Sequence, residues 1–156
     1  MTQSTQTRAK SRRMLIMSCS AAKRARPVTK MPAIERYDGV LFKVLRKAIR
    51  ENLVGGTVDI LIISAKYGLI TPRTRIVNYD AKMTTRGAHQ LGPSVRRGIR
   101  HRMTRDRPND VLINLGQAYA KIIRDMPELR DAVWASGAIG KRAAFLKSWL
   151  IDDNRC

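Results

Sequence analysis

The sequence is poor in cysteine, histidine, aromatic residues and long apolar runs, and each shortage excludes a class of protein. Its two cysteines, Cys19 and Cys156, stand near opposite ends of the chain and do not make the disulfide framework of a small secreted domain. With two histidines and no clustered cysteines, nothing indicates a zinc site, so we expect no metal and no cofactor. No run approaches the roughly 18 apolar residues that span a bilayer. Residues 1–13 also lack the apolar segment of a secretory signal.

Acidic residues are scarce as well, and this shortage points to a partner. Only 12 Asp and Glu oppose 31 Lys and Arg, which gives a formal net charge of +19. Such an excess of cations favours binding to polyphosphate, of which nucleic acid is the abundant form. The alternative is that the charge only keeps the protein soluble. Because 44% of the residues are hydrophobic, the chain is globular and not a disordered basic tail.

Three short apolar runs, at residues 14–17, 59–63 and 110–114, do not alternate with polar residues. This pattern predicts strands that are buried on both faces, as in a parallel sheet covered by helices. Each run ends in small, hydroxylated or amide residues, and two of the three then present a lysine. Because α/β proteins bind ligands beyond the carboxyl ends of such strands, these junctions predict a binding site.

Helical spacing of apolar residues separates the predicted strands. It predicts helices at 34–53, at 84–105 with an interruption at Gly92-Pro93, at 117–126 and at 141–150. Residues 71–83 are predicted to be irregular. We therefore expect an α/β fold with three layers, a single domain over residues 14–156 around a small, mostly parallel sheet. A flexible basic arm, residues 1–13, is expected to precede it.

Four motifs in one order carry a resemblance to a known family. They are Ser18-Cys19-Ser20 with Lys23, then Tyr37-Asp38-Gly39 with Phe42, then the hexapeptide 64–69 (SAKYGL), then Tyr79-Asp80. Together they resemble the YaaA-like superfamily of bacterial and phage proteins, and the segment 137–141 extends the match weakly. The resemblance implies an α/β fold, location in the cytoplasm of a bacterium or phage-infected cell, and action on nucleic acid. It further implies cleavage of the N-glycosidic bond of a modified base in DNA, with 5-hydroxymethyluracil as one expected substrate.

Such a cleavage needs an anion near C1′ of the sugar, because the transition state resembles an oxocarbenium ion. Asp80 is the predicted catalytic acid, which stabilises this cation or orients water as a general base. A structural Asx turn or helix cap is the alternative for Asp80. Lys66 is the second predicted catalytic residue, either as a Schiff-base nucleophile or as a phosphate ligand. An ion pair with Asp80 or Asp38 is the alternative for Lys66.

The other predicted substrate contacts surround these two residues. Hydroxyl and backbone donors after the first strand suit a base edge or a phosphate, although Cys19 also fits a small buried thiol. Tyrosines 37 and 67 suit stacking on a flipped base or packing in the core. Asn114 suits either a Watson–Crick edge or hydrogen bonds within its own loop. The full predicted set is Ser18, Cys19, Ser20, Lys23, Tyr37, Ser64, Tyr67, Gly68, Tyr79 and Asn114.

Two basic segments are predicted to contact the nucleic-acid backbone. Gly137, Gly140, Lys141 and Arg142 stand where a helix begins and suit a phosphate cradle, with a simple helix cap as the alternative. Arg97 and Arg100 belong to an arginine-rich helix whose neighbourhood contains few acidic residues. A solvated helix face is the alternative there.

Taken together, these patterns predict a DNA glycosylase that binds single- or double-stranded DNA with the modified base flipped out. Two other functions remain open from the sequence. One is a non-enzymatic protein that binds and protects DNA, and the other is a tRNA base-modifying enzyme.

Overall fold

The computed structural model describes residues 12–151, in which strands and helices alternate along the chain. The strands are β1 (Arg12–Ser18), β2 (Met31–Pro32), β3 (Thr57–Ser64), β4 (Gly68–Ile70), β5 (Arg75–Ile76), β6 (Asp110–Asn114) and β7 (Val133–Trp134). The helices are α1 (Ala33–Arg36), α2 (Val40–Arg50), α3 (Thr85–Asp106), α4 (Gln117–Ile123) and α5 (Ile139–Ile151), with a 3₁₀ turn at Pro127–Leu129. None of these helices is long and apolar enough to cross a membrane.

The main sheet has five strands in the order β4-β3-β1-β6-β7. β1 lies at its centre and pairs in parallel with β3 and β6, and β7 continues the parallel set beside β6. β4 returns antiparallel to β3, and β2 and β5 form a separate two-stranded ribbon. The prediction of a single three-layer α/β domain around a mostly parallel sheet is therefore confirmed.

The central strands are buried on both faces, as their unbroken apolar runs predict. Leu15 and Met17 of β1 face a core cluster that contains α2 and α5, whereas Met14 and Ile16 face a second cluster that contains α3 and α4. Successive side chains of a strand point to opposite faces. One strand thus supplies both cores, which explains the absence of polar alternation.

The chain changes direction across the sheet at β1. From β1 it passes through α2 on one face to β3, and from β3 through α3 on the other face to β6 on the opposite side of β1. The carboxyl ends of β1 and β6 therefore form a topological switch point, where the connections diverge and leave a crevice. This crevice is where an open α/β sheet binds its ligands.

Two predicted helices differ from the structure. The helix expected over 34–53 is divided into α1 and α2 by residues 37–39, because the extended backbone of Tyr37 turns its side chain into the core. The interruption expected at Gly92-Pro93 is wrong, since α3 continues through Pro93. Proline removes one backbone donor from a helix, and here the burial of the next turns of α3 on the sheet keeps the helix continuous.

The SAKYGL hexapeptide forms a tight reversal between β3 and β4. Gly68 has a φ of +72°, a conformation that L side chains rarely adopt, and its backbone begins the return strand. The segment 71–83, expected to be irregular, includes β5, which pairs with β2 through Met31 and Ile76. This short ribbon joins the loop after β1 to the segment after β4.

The flexible arm predicted for residues 1–13 lies outside the described residues except for Arg12 and Arg13, which belong to β1 instead. Arg13 is buried because its guanidinium donates to the carbonyls of Trp149, Leu150 and Gly55 and lies over the indole ring of Trp149. The side chain thereby satisfies carbonyl groups at the carboxyl end of α5, where the helix dipole also favours a cation.

Candidate functional site

The ends of the three predicted buried strands meet at one edge of the sheet. In the register of the strands, Ser18 lies opposite Ile63 on β3, and Met17 lies opposite Asn114 on β6. The loops that follow Ser18, Ser64 and Asn114 are consequently neighbours. The Oγ of Ser18 accepts a hydrogen bond of 3.2 Å from the backbone N–H of Gly116, which joins two of these loops.

A cluster of three hydroxyl groups forms the floor of this edge. The hydroxyls of Tyr37 and Tyr79 lie 2.6 Å apart, and the Oγ of Ser64 lies 3.3 Å from the first and 2.9 Å from the second. The same Oγ accepts the backbone N–H groups of Lys66 and Tyr67 at 3.2 and 3.1 Å. One buried serine thus joins the turn after β3 to both tyrosines.

Burial determines the protonation state of this hydroxyl cluster. Desolvation raises the pKa of Tyr37 to about 12, and it also raises the pKa of Tyr79. Both phenols therefore remain neutral at physiological pH. Tyr37 and Ser64 are fully buried and hydrogen-bonded within the cluster, and their contact with substrate remains a prediction.

Two lysines lie over the exposed side of the hydroxyl cluster. The Nζ of Lys23 is 4.4 Å from the centroid of the Tyr79 ring, and the Nζ of Lys66 is 5.6 Å from it. Tyr67 packs edge-on against the same ring with 5.5 Å between the centroids. Tyr79 is thus the common neighbour of both lysines and of an exposed aromatic ring.

The acidic side chains near these lysines are engaged elsewhere or stand alone. Asp38 lies 2.5 Å from Arg46 and 3.8 Å from Arg24, so the ion pair between Lys66 and Asp38 that the sequence left open does not form. Asp80 is exposed and has neither an ion pair nor a side-chain hydrogen bond within residues 12–151. An Asx turn or a cap does not occupy it. Asp80 directly follows Tyr79, the residue that both lysines contact.

A pocket of about 320 Å³ opens at the switch point beside this cluster. The loop after β1 and the first residues of α2, α4 and α5 surround it. Its lining includes Cys19, Phe42, Tyr119, Ile139 and Arg142. A Cβ on Gly39 would lie 2.7 Å from the Cβ of Ser20, so glycine is what lets α2 begin against the loop. The pocket wall is thus apolar with a few polar groups, as is typical of ligand sites.

Cys19 and Tyr119 meet in the wall of this pocket. The Sγ of Cys19 lies 3.1 Å from the hydroxyl of Tyr119, and burial followed by the contact with Cys19 raises the pKa of that phenol. Tyr119 was not among the predicted site residues. Its position in the first turn of the helix that follows β6 was the available signal. The backbone of Cys19 donates to Ile63, so the residue continues the edge of the sheet.

Asn114 and Arg142 form a reciprocal pair at the base of the pocket. The Nε of Arg142 donates to the side-chain oxygen of Asn114 at 2.9 Å, and the amide nitrogen donates to the backbone carbonyl of Arg142 at 3.2 Å. Asn114 is fully buried, which favours the alternative of internal hydrogen bonds, and its reading of a base edge remains a prediction. Burial lowers the pKa of Arg142. Asn114 orients the guanidinium of Arg142 at the pocket wall.

The predicted phosphate cradle lies at the start of α5. Gly137 precedes the helix, and Gly140 and Lys141 lie in its exposed first turn. Gly137 and Arg142 also line a neighbouring pocket of about 490 Å³. Their role in binding phosphate remains a prediction.

Most arginines of α3 have acidic partners within the fold. Arg96 lies 2.6 Å from Asp125, Arg100 lies 2.6 Å from Glu128, and Arg105 lies 2.7 Å from Asp106. These contacts lower the pKa values of the three carboxyl groups. Few acidic residues lie near these arginines in the sequence, but the fold brings two carboxylates to them from the segment after α4. Within residues 12–151, Arg97 is exposed and has no acidic partner.

The described residues do not form a group of ligands for a metal ion. Among residues 12–151, no three His, Cys, Asp or Glu side chains come together in a group that could hold a metal ion. The groups available for chemistry are therefore the carboxylate, amine, thiol and phenol side chains described above.

Comparison with known proteins places the chain in a family. A search of curated proteins finds no match. A family model matches residues 14–148, which extend from within β1 to within α5 and include all four motifs of the site. The chain therefore belongs to the family described as a family of unknown function (DUF6884).

Proposed function

We propose that this protein is a DNA glycosylase that hydrolyses the N-glycosidic bond of a modified base, with 5-hydroxymethyluracil as one candidate. The observation that carries the proposal is the placement of Asp80. This carboxylate has no partner within the described residues and follows the tyrosine that both site lysines contact. The resemblance to the YaaA-like superfamily supports the same reaction and a cytoplasmic location in a bacterium or phage-infected cell.

The proposed reaction is a substitution at C1′ of the deoxyribose. The oxygen of water bonds to C1′ while the bond from C1′ to the base nitrogen breaks, and the electron pair of that bond leaves with the base. Asp80 stabilises the developing positive charge and accepts the proton from water. The departing base receives a proton from solvent and Asp80 returns its proton to solvent, so the products are a free base and an abasic sugar.

The switch-point pocket suits the flipped base. Its volume of about 320 Å³ falls in the range of small-molecule sites. Phe42 and Tyr119 supply apolar and aromatic surface, and the guanidinium of Arg142 supplies donors for a carbonyl oxygen of the base. Enzymes that act on bases commonly read an extruded base through such stacking and hydrogen bonds.

Replacement of the predicted acid tests this proposal. Asp80→Asn removes the charge and keeps the size of the side chain, so we expect single-turnover base release to fall by about 10²–10⁴. Affinity for DNA should stay near that of the wild type, because the neutral amide adds no repulsion. Free base is measured by mass spectrometry after incubation with oligonucleotides that carry different modified bases.

Asp125→Asn is the matched control, since it removes the same charge from an exposed carboxylate that pairs with Arg96 on α3. Its base release should equal that of the wild type. If Asp80→Asn releases base at the wild-type rate, Asp80 has no part in the mechanism. If the wild type releases no base from any oligonucleotide but binds all of them, the charge of +19 favours the second candidate, a non-enzymatic DNA-binding protein.

A further inference from the structure

Cations without an acidic partner lie on several faces of the described chain. The two segments that border the hydroxyl cluster carry a group of them close to the candidate site. We define the cationic rim as Lys23, Arg26, Lys66, Arg73 and Lys82. By contrast, Arg96, Arg100, Arg102 and Arg105 of α3 each contact a carboxylate.

A fully buried arginine holds the first segment of the rim in place. The guanidinium of Arg36 donates to the carbonyls of Arg24, Pro27 and Thr29 at 2.7, 2.8 and 2.6 Å. Each of these bonds ties down the loop after β1. The conformation of the loop is therefore fixed by internal hydrogen bonds, and the loop exposes Arg26 to solvent.

Backbone hydrogen bonds place the second segment beside the first. The N–H of Ala33 donates to Thr74 at 2.8 Å, and the N–H of Ile34 donates to Pro72 at 3.1 Å. Arg73 lies between these two acceptors. The turn that carries Arg73 is thus fixed against the helix whose Arg36 organises the loop after β1.

The hydroxyl cluster joins the remaining rim residues to this surface. Lys23 forms a β-bridge with Tyr37 and lies over the ring of Tyr79, which Lys66 also approaches. Lys82 is exposed three residues beyond Tyr79, whose hydroxyl is held by Tyr37. All five rim cations consequently belong to loops that are tied to one cluster.

The acidic groups near the rim leave its charge uncancelled. Glu35 pairs with Arg24, and Asp38 pairs with Arg46 and Arg24. Within residues 22–32 and 65–86, Asp80 is the single acidic residue of the sequence. The five rim cations therefore share these two segments with a single unpaired carboxylate, and their excess positive charge attracts a polyanion.

We infer that the cationic rim is the docking surface for the sugar–phosphate backbone of a DNA strand, an inference that rests on the proposed function. The rim holds phosphates on both sides of the target nucleotide. Lys23 and Lys66 lie nearest to the reacting sugar, while Arg26, Arg73 and Lys82 bind phosphates farther along the strand. α3 contributes less, because four of its six arginines already have carboxylate partners within the described residues.

The test compares two triple variants that lose the same charge. The rim variant carries Arg26→Gln, Arg73→Gln and Lys82→Gln, and it leaves the residues nearest to the reaction unchanged. The control variant carries Lys47→Gln, Arg50→Gln and Lys147→Gln, which are exposed on α2 and α5. The ligand is an unmodified single-stranded DNA oligonucleotide with a fluorescent label, and its affinity is measured by anisotropy over a series of KCl concentrations.

For the rim variant, we expect the slope of the logarithm of affinity against the logarithm of salt concentration to lose about 2 units. Each phosphate contact on single-stranded DNA contributes about 0.7 to that slope. The control variant should keep the wild-type slope. Circular dichroism spectra and melting curves verify that both variants are folded.

Two outcomes would overturn the inference. One is an equal change of slope in the rim and control variants, which would mean that only net charge matters. The other is a change as large as that of the rim variant from Arg97→Gln alone, which would make α3 the docking face. Because this oligonucleotide carries no modified base, its binding does not depend on the proposed reaction, and a failure of the proposed function would show only in the base-release assay.

Discussion

A single serine oxygen organises the candidate site at the level of residues. The Oγ of Ser64 accepts two backbone N–H groups from the turn after β3 and contacts the hydroxyls of Tyr37 and Tyr79. The turn presents Lys66, and the loop after Tyr79 presents Asp80. The relative position of the two predicted catalytic residues therefore depends on hydrogen bonds to one buried atom, one of which the backbone N–H of Lys66 donates.

The buried phenol of Tyr37 makes stability depend on alkaline pH. Its pKa is raised by burial from the ordinary 10.0 to about 12, so between these values the unfolded chain loses a proton that the folded chain keeps. This contribution to stability is complete below pH 10 and is lost as the pH rises to about 12. We expect the free energy of unfolding to fall by up to about 1.4 kcal/mol per pH unit in this window. Urea unfolding at several pH values measures it.

Tyr37→Phe isolates this effect from the titration of the lysines, because the variant keeps the ring and loses only the ionisable group. The slope of the free energy of unfolding against pH should be more negative for the wild type than for the variant. Equal slopes for the two proteins above about pH 10 would show that Tyr37 does not retain its proton in the folded state.

At the level of elements, three helices begin around the loop that follows β1. Gly39 precedes α2, Gly116 precedes α4, and Ile139 begins α5, and all three residues line the switch-point pocket. The shape of the pocket therefore depends on how closely helix starts approach one loop. The closest approach is at Gly39, whose N–H also donates to the Oγ of Ser20.

Gly39→Ala tests this approach. The added methyl group would lie 2.7 Å from the Cβ of Ser20, too close for either atom, so the loop or the helix must move. We expect a loss of about 1–3 kcal/mol in the free energy of unfolding, as for other overpacked sites. Urea denaturation measures the loss.

Gly140→Ala is the matched control in the first turn of α5, because nothing lies within 4 Å of the position of its Cβ. Alanine favours the helix over glycine by up to about 1 kcal/mol, so this variant should be neutral or more stable. If Gly39→Ala has the same free energy of unfolding as Gly140→Ala, the loop after β1 moves away from the added methyl group without loss of stability.

At the level of the whole molecule, charge repulsion opposes the folded state. The net charge of +19 is distributed over one small domain, and most of its ion pairs involve exposed side chains of modest value. Added salt screens the repulsion more than it weakens these pairs. We therefore expect the melting temperature to rise from about 50 mM to about 300 mM KCl, by about 2–4 °C for each kcal/mol of repulsion removed.

Scanning calorimetry measures this rise, and choline chloride in place of KCl controls for a specific effect of potassium. A melting temperature that falls with salt would show that the internal ion pairs outweigh the repulsion.

The central part of the fold could be predicted because its signals are local in sequence. The apolar runs at 14–17, 59–63 and 110–114 lie within β1, β3 and β6, since a strand buried on both faces needs no partner information to be recognised. The meeting of their carboxyl ends followed from parallel pairing. Features that depend on tertiary packing could not be read from local patterns. The continuity of α3 through Pro93 is one example.

The site was only partly predictable for the same reason. Asp80, Lys66 and Lys23 follow motifs that stand together in the sequence. The pairing of Asn114 with Arg142 joins residues 28 positions apart, and Cys19 meets Tyr119 across 100 positions. Glu128 compensates Arg100 from the segment after α4. No local window contains these contacts, which is why an amide was expected to face substrate and the arginines of α3 were expected to be free.

The buried guanidinium of Arg13 has a consequence for synthesis of the protein on the ribosome. Arg13 lies in the first strand, at the centre of the sheet, whereas two of its carbonyl acceptors belong to Trp149 and Leu150. A nascent chain that has not yet extruded those residues cannot bury this cation among its acceptors. The central strand therefore reaches its final environment only after α5 has been synthesised, and until then α2 covers its face of the sheet without α5.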